Sequence, residues 1–106
     1  MGMNGMNMGK LMKQAQEMQK KLASEQETID QTEFVGKAPK ELVTATFTGD
    51  RQLKDLQIKP EAIDSSDTEM LSDLVISAVN DGLNQIAETT KSKMGKYTQG
   101  MNIPGM

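Results

Sequence analysis

From Met8 to Asp30 the apolar residues Met8, Leu11, Ala15, Met18, Leu22 and Ile29 recur at alternating intervals of three and four, broken only where Glu25 stands between Leu22 and Ile29. That spacing predicts a helix with a heptad seam. The segment holds no proline, and Gly9 is its only glycine. At about 1.5 Å per residue the rod is roughly 35 Å long, more than a small globule requires, so part of it is expected to project.

Between Thr32 and Lys59 the pattern changes to β-branched residues in alternation, clearest where Val43, Ala45 and Phe47 oppose Thr44, Thr46 and Thr48. Period two predicts strands. The expected spans are Thr32 to Lys37, Glu41 to Thr48 and Arg51 to Lys59, with the Ala38-Pro39-Lys40 loop after the first. Gly49-Asp50 reads as a two-residue hairpin turn. Leu56 and Ile58 share a parity that Leu53 does not, which calls for a bulge or a two-sided third strand. Pro60 ends the sheet.

A second helix is expected from Thr68 to Lys93 or beyond. Ser66-Asp67-Thr68-Glu69 has capping-box spacing just before its apolar residues. Leu71, Val75, Val79, Leu83, Ile86 and Thr90 fall within an arc of about 120°, suited to packing on a sheet or another helix. Residues 1–7 and 98–106, rich in Gly, Asn and Met, are expected to be flexible tails of a single domain spanning 1–106. The predicted fold is α/β (α+β): a two-layer α-β-β-β-α protomer with a three-stranded antiparallel sheet and long projecting N- and C-terminal helices.

Composition adds a partner to this picture. Leu, Ile, Val and Phe make up 20 of the 106 residues, a thin apolar supply for a chain that is to fold alone. A short sheet also leaves edges unpaired and cannot cover two long helices. A homodimer is the expected remedy. The chain has no Cys and no His, which removes thiolate nucleophiles, imidazole bases, disulfides and the usual transition-metal ligands. No phosphate-binding loop or nucleophile elbow occurs, so neither an enzyme nor a cofactor is expected. Asp64, Asp67 and Glu69 lack the spacing of a calcium loop and are better explained by helix capping, so no metal site is expected. With no charged stretch leading into an apolar block at the start, and no run of about 18 apolar residues, the expectation is a cytoplasmic protein with no membrane partner.

The formal net charge of −3 conceals a strong division along the chain. Residues 1–24 carry +3, 25–33 carry −4, 34–59 carry +2, 60–90 carry −7 and 91–106 carry +3. Lys10, Lys13, Lys20 and Lys21 lie within an arc of about 100° opposite the seam, with Glu17 inside the same arc. Such an arc is either a solvated helix face or a surface for phosphate. Lys91, Lys93 and Lys96 equally suit a helix C-terminus, where cations complement the dipole.

The stretch Leu11-Met12-Lys13-Gln14-Ala15-Gln16-Glu17-Met18-Gln19-Lys20-Lys21-Leu22 resembles the opening helix of the YbaB/EbfC family of bacterial nucleoid-associated proteins. The likeness continues through Leu42 to Gly49, Leu56 to Pro60, Leu71-Ser72-Asp73-Leu74 with Asn80 and Asp81, and Gly100 to Met106. It implies a tight homodimer with tweezer-like helical arms that binds double-stranded DNA in the cytoplasm, at the nucleoid, and influences chromosome organisation and gene expression. The DNA-binding residues it implies are Lys10, Lys13, Gln14, Lys20 and Lys21 on the first helix, with Lys91, Lys93 and Lys96 at the end of the second. The dimer contact it implies is the seam and the sheet: Leu11, Ala15, Met18 and Leu22 with Val43, Ala45 and Phe47. The chain departs from many relatives in having Ala38-Pro39-Lys40-Glu41 in place of a glycine-rich turn, and no cation between residues 60 and 90. The alternative is a non-catalytic interaction module that engages a protein partner in DNA metabolism.

Overall fold

The computed structural model describes residues 2–98, with side chains described for residues 8–95. Helix α1 (Gly2–Gln31) is followed by strands β1 (Glu33–Lys37), β2 (Val43–Thr48) and β3 (Leu53–Ile58), then by helix α2 (Thr68–Thr98). The sheet is antiparallel in the order β1-β2-β3. The α-β-β-β-α order expected from the hydrophobic pattern is the observed one. α1 begins at Gly2 rather than Met8, as no proline intervenes to stop it. Of the tail expected at 98–106, all but Thr98 lies outside the described residues.

The inner face of the sheet is built from the alternation that marked the strands. Phe34 pairs with Phe47, Gly36 with Ala45, and on the other side Val43 pairs with Ile58 and Ala45 with Leu56. Opposed residues share a face, so these side chains form one apolar layer. A bulge between Thr46 and Phe47 sets Leu53 opposite Phe47. The extra residue, Lys54, restores Leu53 to the face of Leu56 and Ile58, which resolves the parity conflict. α2 lies across this layer over β1 and β2. Phe34, Val43, Ala45, Phe47, Ala78 and Ile86 are buried there, with Leu71, Leu74, Val75, Val79 and Leu83 half-buried around them.

Two glycines set how closely the layers approach. A Cβ at Gly36 would overlap the Ala78 carbonyl oxygen and the Gly82 backbone, and one at Gly82 would sit 2.6 Å from the Phe47 ring. Helix backbone therefore rests directly on strand backbone, which no larger residue permits.

Three local expectations are corrected. The β2-β3 hairpin has three loop residues, Gly49, Asp50 and Arg51, because Thr48 N–H donates to the Gln52 carbonyl (3.0 Å) and Arg51 adopts the left-handed conformation (φ 67°). A turn followed by one left-handed residue is the usual three-residue solution, and it delays β3 to Leu53. Before β2, Pro39–Glu41 forms a 3-10 turn with Lys40 at φ 58°, so the strand starts at Val43 instead of Glu41. The N-cap of α2 is Asp67, whose Oδ1 accepts the Met70 N–H (3.1 Å). Ser66 is not the cap: its N–H and hydroxyl both donate to Asp64 Oδ1 (2.9 and 2.6 Å). Those two bonds, the hydroxyl's foremost, hold the Asp64 carboxyl below the ordinary carboxylate range.

Candidate nucleic-acid interface

α1 divides into an anchored end and a free end. Ile29 is 1% exposed, and Leu22, Glu25, Gln26 and Asp30 are half-buried. Here α1 meets α2 and the β2-β3 turn: Gly49 N–H donates to the Thr32 carbonyl (3.0 Å), and a Cβ at Gly49 would overlap the Ile29 carbonyl. The seam is thus covered at its C-terminal end by the chain's own fold. From Met8 to Lys21 every residue is exposed. This is the projecting rod, and it contributes to overall extents of 80 × 24 × 16 Å.

The arm carries the first group of predicted DNA contacts. Lys10, Lys13, Gln14, Lys20 and Lys21 are all exposed on it. Lys13 and Lys20 are seven residues apart, about 10 Å along the axis on one face. Lys93 Nζ lies 4.0 Å from Glu25 Oε1 across the α1-α2 contact, and Glu25 is one turn from Lys21. The packing of α2 on α1 therefore brings a cation of the second group to the base of the arm, although Glu25 offsets part of its charge. Lys91 is exposed close by in sequence, and the Lys96 side chain lies outside the described ones.

The residues expected at a dimer contact separate into two sets. Leu11, Ala15 and Met18 are exposed on the arm and Leu22 is half-buried at its base. Val43, Ala45 and Phe47 are buried beneath this chain's own α2, at 0%, 0% and 3% exposure. Those three belong to the protomer core, because α2 occupies the face that the alternation marked as apolar. Leu53, Leu56 and Ile76, which belong to none of the expected sites, are large, apolar and exposed. Asp81 and Gln85, also outside those sites, bond through their side chains to the β1 backbone. The parity of β3 is the local signal for the leucines; Asp81 is marked only by the resemblance, and nothing in the local pattern marks Gln85.

No group of three or more acidic residues that could hold a metal is present among the described residues. None of the described helices is long and apolar enough to cross a membrane.

The chain matches the YbaB/EbfC DNA-binding family over residues 3–101. It is 59% identical over 100 residues to a nucleoid-associated protein of Lactobacillus delbrueckii subsp. bulgaricus, covering 94% of this chain and 92% of that one. A nucleoid-associated protein of Enterococcus faecalis is 55% identical over 100 residues, 93% of this chain and 96% of that one. Among solved structures, an uncharacterized protein from Helicobacter pylori superposes with a TM-score of 0.68 at 27% identity, covering 81% of this chain and 90% of that one. With the fold, the exposed basic arm and the likeness in agreement over most of its length, this chain belongs to the YbaB/EbfC DNA-binding family.

Proposed function

We propose that this protein is a nucleoid-associated DNA-binding protein that acts as a homodimer, holding duplex DNA with the basic face of its α1 arm and influencing chromosome organisation and gene expression. The observation that carries this reading is the arm: Lys10, Lys13, Lys20 and Lys21 are exposed on a helix that leaves the globular head. Lysines are compact point charges, so their contacts fall on phosphate, with Gln14 available as a polar neighbour and Lys91 and Lys93 adding charge at the arm's base. Binding of this kind is salt-dependent and reads little base sequence. The acidic charge of residues 60–90 repels DNA from the head and leaves the arm as the surface of approach. The reading assigns no catalysis and no cofactor, and it places the protein in the cytoplasm at the nucleoid.

A salt titration of binding to two unrelated duplexes tests it. Log affinity is expected to fall linearly with log salt at a slope that counts the phosphates met, with a small ratio between duplexes. Absence of binding to either duplex at low salt refutes it. A second reading rests on Met8, Leu11, Met12 and Met18, which form an exposed apolar stripe on the same arm. In that reading the arm engages a protein partner in DNA metabolism, and a protein-specific loss on mutating the stripe, with DNA binding intact, separates the two.

A further inference from the structure

Between residues 25 and 33, where α1 enters the head, the chain carries four acidic residues and no basic one. Three of them are engaged within the fold. Glu25 Oε1 lies 4.0 Å from Lys93 Nζ, Asp30 Oδ1 accepts a hydrogen bond from Gln26 Nε2 (2.8 Å), and Glu33 Oε2 lies 3.5 Å from Lys54 Nζ. The fourth, Glu27, is exposed, and its side chain enters none of the ion pairs or hydrogen bonds among the described residues.

Local energetics do not call for an acid at this position. The neighbours of Glu27 three and four residues away are Ala23, Ser24, Asp30 and Gln31, so no cation is within reach along the helix and Asp30 is a like charge. Glu27 also stands just ahead of the last turn of α1, toward the helix end that favours cations.

What Glu27 does share is a face with the lysines. Lys13, Lys20 and Glu27 follow one another at seven-residue intervals, each about 10 Å further along the helix and turned by only about 20°. The basic column of the arm therefore reverses sign at its third member. Beyond Lys21 α1 carries no further cation. Lys93, which α2 brings up to the base of the arm, arrives against Glu25, and part of its charge is taken up there. A duplex resting on the lysines thus meets an attractive surface over residues 10–21, about 17 Å of helix, and an uncompensated acid one step nearer the head.

We propose that Glu27 is a repulsive stop: it ends the DNA surface of the arm, confines the duplex to the stretch from Lys10 to Lys21, and holds the affinity below what the lysines alone would give. The proposal rests on the DNA-binding reading above and adds a boundary to it. Placement on a surface requires repulsion at its limits as well as attraction within them. The field of an exposed charge extends about one Debye length, roughly 8 to 10 Å near physiological salt, which covers the step from Glu27 to phosphates held by Lys20.

Anisotropy titrations of one duplex against the whole chain, repeated over a series of salt concentrations, test it. Glu27→Gln removes the charge and keeps the shape, and is expected to tighten binding about threefold at low salt, with the gain shrinking as salt rises. Glu27→Lys is expected to tighten binding about tenfold and to steepen the salt slope by about one unit, since a third lysine then joins the column. Asp73→Lys makes the same change in net charge at an exposed position of α2, about 30 Å along that helix from Lys93, and should alter affinity by less than about twofold. Melting followed by circular dichroism should show no loss of stability in either Glu27 variant. If the unmodified protein binds the duplex but neither Glu27 variant tightens it, or Asp73→Lys tightens it as much as Glu27→Lys, Glu27 is only a solvated charge and the proposal fails while the DNA-binding reading stands. A lowered melting temperature for Glu27→Gln assigns the residue to the fold and overturns the proposal as well. Absence of duplex binding by the unmodified protein removes both readings.

Discussion

The head and the arm are made from the same kinds of residue but are held in different ways. In the head, apolar side chains at period two and at helical spacing meet each other, and backbone touches backbone at Gly36 and Gly82. On the arm, Leu11 and Met12 are each 62% exposed, and a Cβ at Gly9 would have nothing within 4 Å. The contrast teaches that one seam serves two purposes in this chain. Its end at Leu22 and Ile29 fastens α1 to the head, and the remainder is surface. Substitutions of one chemical kind should therefore have opposite consequences in the two regions.

The sharpest break in that comparison is expected from a single methyl group. Gly36→Ala pushes a Cβ into the Ala78 carbonyl and the Gly82 backbone, neither of which can rotate away, and should cost about 4 kcal/mol in denaturant unfolding. The same change at Gly9 should instead stabilise helix α1 by up to about 1 kcal/mol, seen as added helical circular dichroism. Equal effects at the two sites would show that the arm is packed in solution.

Next in size is the joint between the regions. Ile29→Ala empties a fully buried site and is expected to destabilise by about 3 kcal/mol, whereas Leu11→Ala, at 62% exposure, should stay within about 0.5 kcal/mol. Thermal unfolding of the two variants side by side makes the measurement.

Charge on the arm should matter to DNA and not to folding. Lys13→Glu with Lys20→Glu is expected to weaken binding to every duplex alike, by about an order of magnitude, and to flatten the salt slope by around one unit for each phosphate that the arm no longer neutralises. The melting temperature and oligomeric state should be unchanged. Reversal at Lys40 and Lys59, on the head, should do much less. Equal weakening by both pairs would mean that the lysine face of α1 is only solvated, and the protein-partner reading would take its place.

The smallest effect belongs to a loop of the head. Two bonds from Ser66 lower the Asp64 pKa, so this carboxylate favours the native state above the ordinary carboxylate range and loses that contribution as pH falls through its lowered pKa. Ser66→Ala removes the hydroxyl bond and should move the Asp64 titration, followed by NMR, upward toward the ordinary value.

How much of this was written in the sequence depends on the range of the interaction concerned. The heptad spacing of Met8 to Ile29, the alternation at Val43 to Phe47 and the apolar arc from Leu71 to Thr90 each report a period, and a period is local. They predicted α1, β2 and α2 and their order. The lysine arc of α1 was legible for the same reason, since helical geometry alone places residues seven apart on one face. The parity of Leu53 against Leu56 announced a bulge, though only the pairing with β2 decided that it falls at Lys54. The loop at Gly49 to Arg51 and the cap at Asp67 each differed by one residue from expectation, because the choice turns on single hydrogen bonds: Thr48 with Gln52, and Met70 with Asp67.

What the tertiary structure alone decided is which apolar surface is spent inside the protomer. Val43, Ala45 and Phe47 look no more apolar in sequence than Leu53 and Leu56, yet α2 covers the first set and leaves the second open. The reason is the contact of Gly36 with Gly82, which draws α2 toward β1 and lets Asp81 and Gln85 reach the backbone of that edge. Periodicity assigns a residue to a face. Where a helix comes to rest on that face depends on contacts between residues more than forty positions apart, and no local pattern encodes them.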